Sequence, residues 1–289
     1  VHPLGANTWI WVSPLTDARL AELAPRICGW GFDAIELPIE SPGDWDPDRT
    51  ADLLAGLGLT ATVCAVMPPG RDLTTDDREV VERTADYLRY CVRAAARVGA
   101  GVVAGPMYAP VGRTWLLDRD ARAATVRRLR ERLTPLGEEA AGQRVTLALE
   151  PLNRFETSLL NTAEQTLEVV DGIRGLGIAL DTFHMNIEER DIPAAIRTAG
   201  DALAHVQVCA NDRGAPGNDH LDWPGIVEAL RGVGYTGPLC IESFTAENRT
   251  IATAAAIWRP LAPSQDQLAT AGLAFLRDLL DRAAAANAR

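Results

Sequence analysis

Short apolar runs ending on an oxygen-bearing side chain recur through the second half of the chain: Val145-Thr-Leu-Ala-Leu-Glu150, Gly177-Ile-Ala-Leu-Asp181, His205-Val-Gln207-Val and Gly237-Pro-Leu-Cys-Ile-Glu242. Runs this short, apolar on both faces, read as strands buried on both sides, and the segments between them carry charges at helical spacing. Strand, loop and helix in alternation predict parallel strands joined by crossover helices. The same grammar covers the first half, with strands at Leu4 to Trp11, Ala34 to Pro38, Thr60 to Val66 and Gly101 to Gly105. Helices are expected over 16–28, 47–57, 75–98, 119–141, 162–174, 191–200, 223–233 and 267–286. The third is the clearest, with Val81, Ala85, Leu88, Val92 and Ala95 forming one apolar stripe among charges. Asp118 stands where the fourth helix needs a cap, and Thr162 with Gln165 resembles a capping box before the fifth.

Eight strand-helix units predict a closed parallel (β/α)8 barrel, because closure removes both sheet edges. No linker, charge block or composition break divides residues 1–289, so the chain reads as a single domain. Its 289 residues, 47% of them hydrophobic, suit one barrel of ~250 residues with insertions. An open doubly wound sheet is the rival architecture, but no strand is followed by GxGxxG and no P-loop occurs. The net charge of -11 argues against nucleic acid as partner and favours a neutral or cationic small ligand or a metal. Five scattered cysteines without a CxxC pair suggest a reduced, cytoplasmic chain. No run reaches the roughly 18–20 apolar residues of a membrane span, and no basic segment precedes Trp9-Ile-Trp-Val, so neither membrane insertion nor export is expected. All 28 basic residues are arginine, which excludes Schiff-base, pyridoxal phosphate and lysine general-base chemistry.

In parallel sheets ligands bind beyond the carboxyl ends of the strands, where Glu150, Asp181, Gln207 and Glu242 fall. A buried carboxylate needs a cation or donors, and four oxygen donors in register point to one hard divalent ion, Mn²⁺, Mg²⁺ or Co²⁺. Unrelated acids paired with arginines are the plainer reading. Strands five and eight stand three steps apart around the ring, so Glu150 and Glu242 face each other and can serve as an acid/base pair on one substrate carbon. Glu156 is placed to reach a substrate hydroxyl or His184, or else to pair with Arg154 at the surface. His184, three residues past Asp181, can donate to a substrate oxygen, and Arg213 in a Gly- and Pro-bearing loop can bind another. His205 shares a strand face with Gln207 and reads as interior packing. Cys64 and Phe244 are placed to line the pocket or pack the core.

Leu149-Glu150-Pro-Leu-Asn153-Arg154-Phe-Glu156, Asp181-Thr-Phe-His184-Met-Asn, Asn211-Asp-Arg213-Gly-Ala-Pro-Gly and Ile241-Glu242-Ser-Phe244 resemble the D-tagatose/D-psicose (allulose) 3-epimerases, members of the xylose isomerase-like TIM barrel superfamily. The resemblance spans nearly the whole chain. It implies a (β/α)8 TIM barrel, epimerisation at C3 of a free ketose through a cis-enediolate, and one divalent ion, Mn²⁺ foremost, with Co²⁺ or Mg²⁺ as alternatives. By position, Glu150 and Glu242 would be acid/base and ligands, Asp181 and Gln207 the other ligands, and Glu156, His184, Arg213 and Glu36 substrate contacts. A homodimer or tetramer is implied as well. One departure stands out: the family usually has histidine at Gln207. A glutamine there is similar to hydroxypyruvate isomerases, so an aldose-ketose, keto-inositol or hydroxypyruvate isomerase using the same site is the alternative. A histidine-rich nuclease barrel, a silent sugar-binding barrel and a lysine-dependent hydride-shift isomerase fit less well.

Overall fold

A computed structural model describes residues 2–287. Eight parallel strands close on themselves in chain order: β1 (Leu4–Asn7), β2 (Ala34–Ile39), β3 (Thr60–Ala65), β4 (Val102–Gly105), β5 (Thr146–Leu149), β6 (Leu176–Asp181), β7 (Leu203–Val208) and β8 (Leu239–Ile241), with β8 pairing back onto β1. The helices are α1 (Asp17–Trp30), α2 (Pro47–Leu57), α3 (Arg78–Arg97), α4 (Arg119–Gly142), α5 (Ala163–Val170), α6 (Thr182–Glu188), α7 (Ile192–Ala199), α8 (Trp223–Gly232), α9 (Arg249–Ala254) and α10 (Gln265–Asn287). The closed (β/α)8 TIM barrel expected from the strand-helix alternation is therefore the fold. Among the described residues no helix is long and apolar enough to cross a membrane.

Caps set the helix starts. Asp118 accepts the Ala121 N–H at 2.8 Å, and Asp77 rather than residue 75 begins α3 by accepting from Glu79 and Val80. Thr162 caps α5, but Gln165 reaches one residue further back, to the Asn161 N–H at 2.8 Å, so the box is displaced by one position. That helix stops at Val170, short of residue 174, because Gly172 turns the chain at φ +72°.

The first strand also ends early. Asn7 caps a 3₁₀ turn over Thr8–Ile10 by accepting the Trp9 N–H, so Trp9 and Trp11 are not strand residues. Two short helices beyond the eight expected, α6 and α9, follow β6 and β8.

Alternation along each strand builds the interior. Val102 and Ala104, with Ala148 and Ala179, form a small apolar cluster separate from the main core, and Glu150 and Asp181 stand two residues beyond the last two. In the same phase His205 precedes Gln207 and Cys240 precedes Glu242. The larger core fills the space between strands and helices, where Leu20, Leu23 and Ile27 of α1 and Leu88 and Cys91 of α3 are buried. Gly105 has φ +140°, and a Cβ there would stand 2.3 Å from the Ala65 carbonyl oxygen. Its own carbonyl accepts the Glu150 N–H at 3.0 Å, so a glycine at this point lets β4 carry β5's acid into place.

Candidate active site

A cavity of about 460 Å³ opens at the carboxyl ends of the strands. Glu150, Glu156, His184, Arg213 and Glu242 line its inner end, and Cys64 and Phe244 line its wall. Asp181 and Gln207 are 1% and 0% exposed and stand one step deeper, behind Arg213 and Glu242.

Arg213 ties this group together. Its Nη1 donates to Asp181 Oδ2 and, at 3.0 Å, to Glu242 Oε2, while Nη2 lies 3.0 Å from His184 Nε2. The guanidinium sits between the rings of Phe183 and Phe244, 4.3 and 4.9 Å from their centroids. Its backbone adopts φ +70°, an uncommon conformation for a residue with a side chain, and the Phe244 N–H bonded to its carbonyl oxygen at 3.0 Å helps to hold it there.

The acids are not equivalent. Burial, then the charge of Asp181, pushes the Glu150 carboxyl well above the ordinary range. Burial likewise raises Glu242 well above it, with the Arg213 charge acting in opposition. Burial also drives Asp181 upward, but Arg213, His184 and the Phe183 N–H outweigh it and hold this carboxyl below its ordinary value. His184 is held low by burial and by the adjacent guanidinium, which favours the neutral imidazole. The Cys64 thiol is raised well above its usual value by burial and flanking carboxylates, so it is an unreactive wall.

Glu156 reaches His184 through an intermediary. Asn153 Nδ2 donates to Glu156 Oε1 at 2.8 Å and lies 2.9 Å from His184 Nδ1, which also accepts the Asn153 backbone N–H at 3.1 Å. Arg154 pairs with Glu188 instead of Glu156. The alternative surface pair of Glu156 with Arg154 is thus not formed.

Glu36, expected at the sugar, does not line the cavity. It is 0% exposed and lies beneath the site, because along this strand the cavity lining begins only at Glu40, four residues further on. Its Oε1 accepts from Asn7 Nδ2 and Gln207 Nε2, both at 2.9 Å, and its Oε2 from Thr62 Oγ1 at 3.1 Å. His205 Nε2 lies 2.6 Å from the same Oε2. Burial pushes Glu36 upward, yet His205 and these donors bring it below its ordinary value. His205, read as packing, therefore sets its Nε2 against a buried acid.

The same two amides that serve Glu36 also serve Glu242: Asn7 Nδ2 at 3.2 Å and Gln207 Nε2 at 2.9 Å from Oε1. With both hydrogens of its amide engaged, Gln207 leaves Oε1 buried and without a hydrogen-bond partner among the described residues. Three carboxylates, two of them already sharing one cationic nitrogen, and this oxygen suit a hard divalent cation. Oxygen and nitrogen atoms of Glu150, Asp181 and His184 also lie within 4.8 Å of one another. Asn7, Asn153 and the α9 wall at Thr250 and Ile251 were not singled out from sequence. Asn7 carried a signal, since it ends an apolar run as the four acid and amide positions do; α9 carried none.

A parallel barrel with buried acids gathered at its carboxyl-end mouth defines a small-ligand site built for carboxylate chemistry, and comparison with known proteins narrows it. Residues 27–288 match the family described as xylose isomerase-like TIM barrel. A ketose 3-epimerase of Arthrobacter globiformis is 31% identical over 96% of each chain. The structure of an L-ribulose 3-epimerase superimposes with a TM-score of 0.92 at 32% identity, covering 99% of this chain and 97% of that one. A D-allulose 3-epimerase from Methylomonas sp., in complex with D-allulose, gives 0.86 at 28% identity over 96% of each chain. The chain belongs to the ketose 3-epimerases of the xylose isomerase-like TIM barrels, a family of isomerases.

Proposed function

We propose that the protein inverts C3 of a free ketose, with Glu150 and Glu242 as the acid/base pair. The observation that carries this is the pair itself: two buried glutamates with raised carboxyl pKa, one beside His184 and one on Arg213, at the floor of a single cavity. A positioned carboxyl that takes up and returns a proton is typically worth ~10²–10⁴-fold.

Glu150, Asp181, Gln207 and Glu242 would hold one divalent ion, with Mn²⁺ suited to the mostly carboxylate donor set and Co²⁺ or Mg²⁺ as alternatives. Bound there, the ion supplies positive charge against the negative charge developing on the substrate oxygens. One glutamate removes the C3 proton, leaving a planar cis-enediolate, and the other returns a proton to the opposite face. Asn7 and Gln207 occupy Oε1 of Glu242, so the proton would be carried at Oε2, the oxygen that faces Arg213 Nη1. His184, Glu156 and Arg213 line the same end of the cavity and would orient the sugar oxygens.

Gln207 in place of the family's usual histidine favours a second reading, an aldose-ketose, keto-inositol or hydroxypyruvate isomerase using the same acids. A panel of ketoses with Mn²⁺-loaded enzyme in heavy water, followed by NMR, separates them. Deuterium at C3 with formation of the C3 epimer supports epimerisation; exchange at C1 or C2 with aldose formation overturns it.

A further inference from the structure

We propose that Glu40 reads the far hydroxyl end of the sugar and turns away sugars phosphorylated there. This rests on the ketose reading of the inner site.

On β2, Ala34, Glu36 and Pro38 share the inward face, and Glu40, just past the end of the strand, continues that phase to the cavity wall. Glu36 serves the interior from one level; four residues further on, the same alternation delivers a second glutamate to the mouth. The side chain is held in place. Trp9 Nε1 donates to Oε1 at 3.0 Å and Ser13 Oγ at 2.5 Å, while Arg71 Nη2 donates to the Glu40 carbonyl oxygen at 2.7 Å. Among the described residues Oε2 has no hydrogen-bond partner, so a fixed carboxylate offers one open acceptor to the cavity.

The cavity lining thus carries two sets of polar groups, the buried Glu150, His184, Arg213 and Glu242 and the half-buried Glu40 and Ser13, with Cys64, Val66 and Met67 contributing apolar wall. A ketose whose C3 lies at the inner acids extends its remaining carbons away from them, and a hydroxyl at its far end can donate to Oε2. Hydrogen bonds to an ionised acceptor are the stronger kind, and a site built to bond a hydroxyl rejects an analogue lacking it. A phosphate in that position would meet a carboxylate, and the neighbouring Arg71 is already engaged by the Glu40 and Val66 carbonyls. The charged groups lining the cavity are four glutamates, Glu40, Glu150, Glu156 and Glu242, and one arginine, whose guanidinium is engaged by Asp181 and Glu242.

The test compares kcat/KM for C3 epimerisation of a ketohexose, its 6-deoxy analogue and its 6-phosphate by wild type, Glu40→Ala and the isosteric Glu40→Gln, with thermal unfolding confirming that each variant folds. Wild type is expected to prefer the 6-hydroxyl over the 6-deoxy sugar by roughly tenfold or more and to leave the phosphate almost untouched. In Glu40→Ala the hydroxyl preference falls to near unity, and in Glu40→Gln turnover of the phosphate rises at least about tenfold relative to the free sugar. A wild-type preference retained in both variants, or equal use of free and phosphorylated sugar by wild type, overturns the assignment. A wild type inert towards every ketose overturns the epimerase reading beneath it.

Discussion

Gln207 Nε2 and Glu36 Oε1 meet 2.9 Å apart inside the barrel, and the second hydrogen of the same amide goes to Glu242 at the same distance. Both acceptors are carboxyl oxygens, so a flipped amide would set its own oxygen against two acceptors. Glu36 therefore helps fix which atom of Gln207 remains free, and that atom is an oxygen. Replacing Glu36 by Gln offers a competing donor to the amide and weakens the preference. Glu36→Gln is expected to lower Mn²⁺ affinity by about 10–100-fold, read from the electron paramagnetic resonance signal of free Mn²⁺. In a Gln207→Ala background the same change will have no further effect, because the coupling runs through the amide. Undiminished affinity in the single variant would contradict this account.

Glu150→Gln and Glu242→Gln each remove one end of the proton path. Each is expected to abolish deuterium incorporation at C3, with turnover falling at least about 10²–10⁴-fold. Metal content is measured alongside, since both residues are candidate ligands. Full exchange in either variant with metal bound would remove that glutamate from the scheme.

Metal-free stability follows from the same burial. Burial and then the Asp181 charge raise the Glu150 carboxyl well above its ordinary value of 4.5. A carboxyl raised on folding holds its proton more tightly in the native chain, so its stabilising contribution is complete below about 4.5 and is lost as pH rises through the folded value. Glu150→Gln escapes that loss. Thermal unfolding of the metal-free proteins between about pH 5 and pH 8 will show the variant gaining on wild type as pH rises, by ~2–4 °C for each kcal/mol in a chain of this size. A difference independent of pH would mean the buried carboxyl is compensated by another group.

Asn153 bonds Glu156 with its side chain and His184 through its backbone N–H. Asn153→Ala frees Glu156 and leaves Nδ1 of the imidazole with the backbone bond alone. We expect kcat/KM to fall roughly tenfold or more, while Mn²⁺ affinity stays within about threefold, because Asn153 touches none of the four proposed ligands. A large loss of metal binding would show that the loop, not the two side chains, is what Asn153 supports.

The strand pattern alone determined the barrel and the position of its acids. A strand buried on both faces has to be apolar throughout, so an oxygen-bearing residue at its carboxyl end is conspicuous in one dimension, and this made Glu150, Asp181, Gln207 and Glu242 legible. Local periodicity and caps placed eight helices, but α6 and α9 were missed because segments of seven and six residues span too few turns to show a periodic signal.

Only the closed ring decided the partnerships. Asn7 and Glu242 lie 235 residues apart in sequence and touch because β1 pairs with β8. Arg213 was legible as a loop arginine, but its seat between two phenylalanines and two acids depends on a left-handed backbone turn and on loops from three strands. Glu36 and Glu40 are four residues apart with the same facing, yet one is sealed below the site and the other lies on the cavity wall. Sequence sets the period of two that turns both inward; the depth at which the barrel opens, set by packing around the whole ring, assigns one to the interior and the other to the mouth.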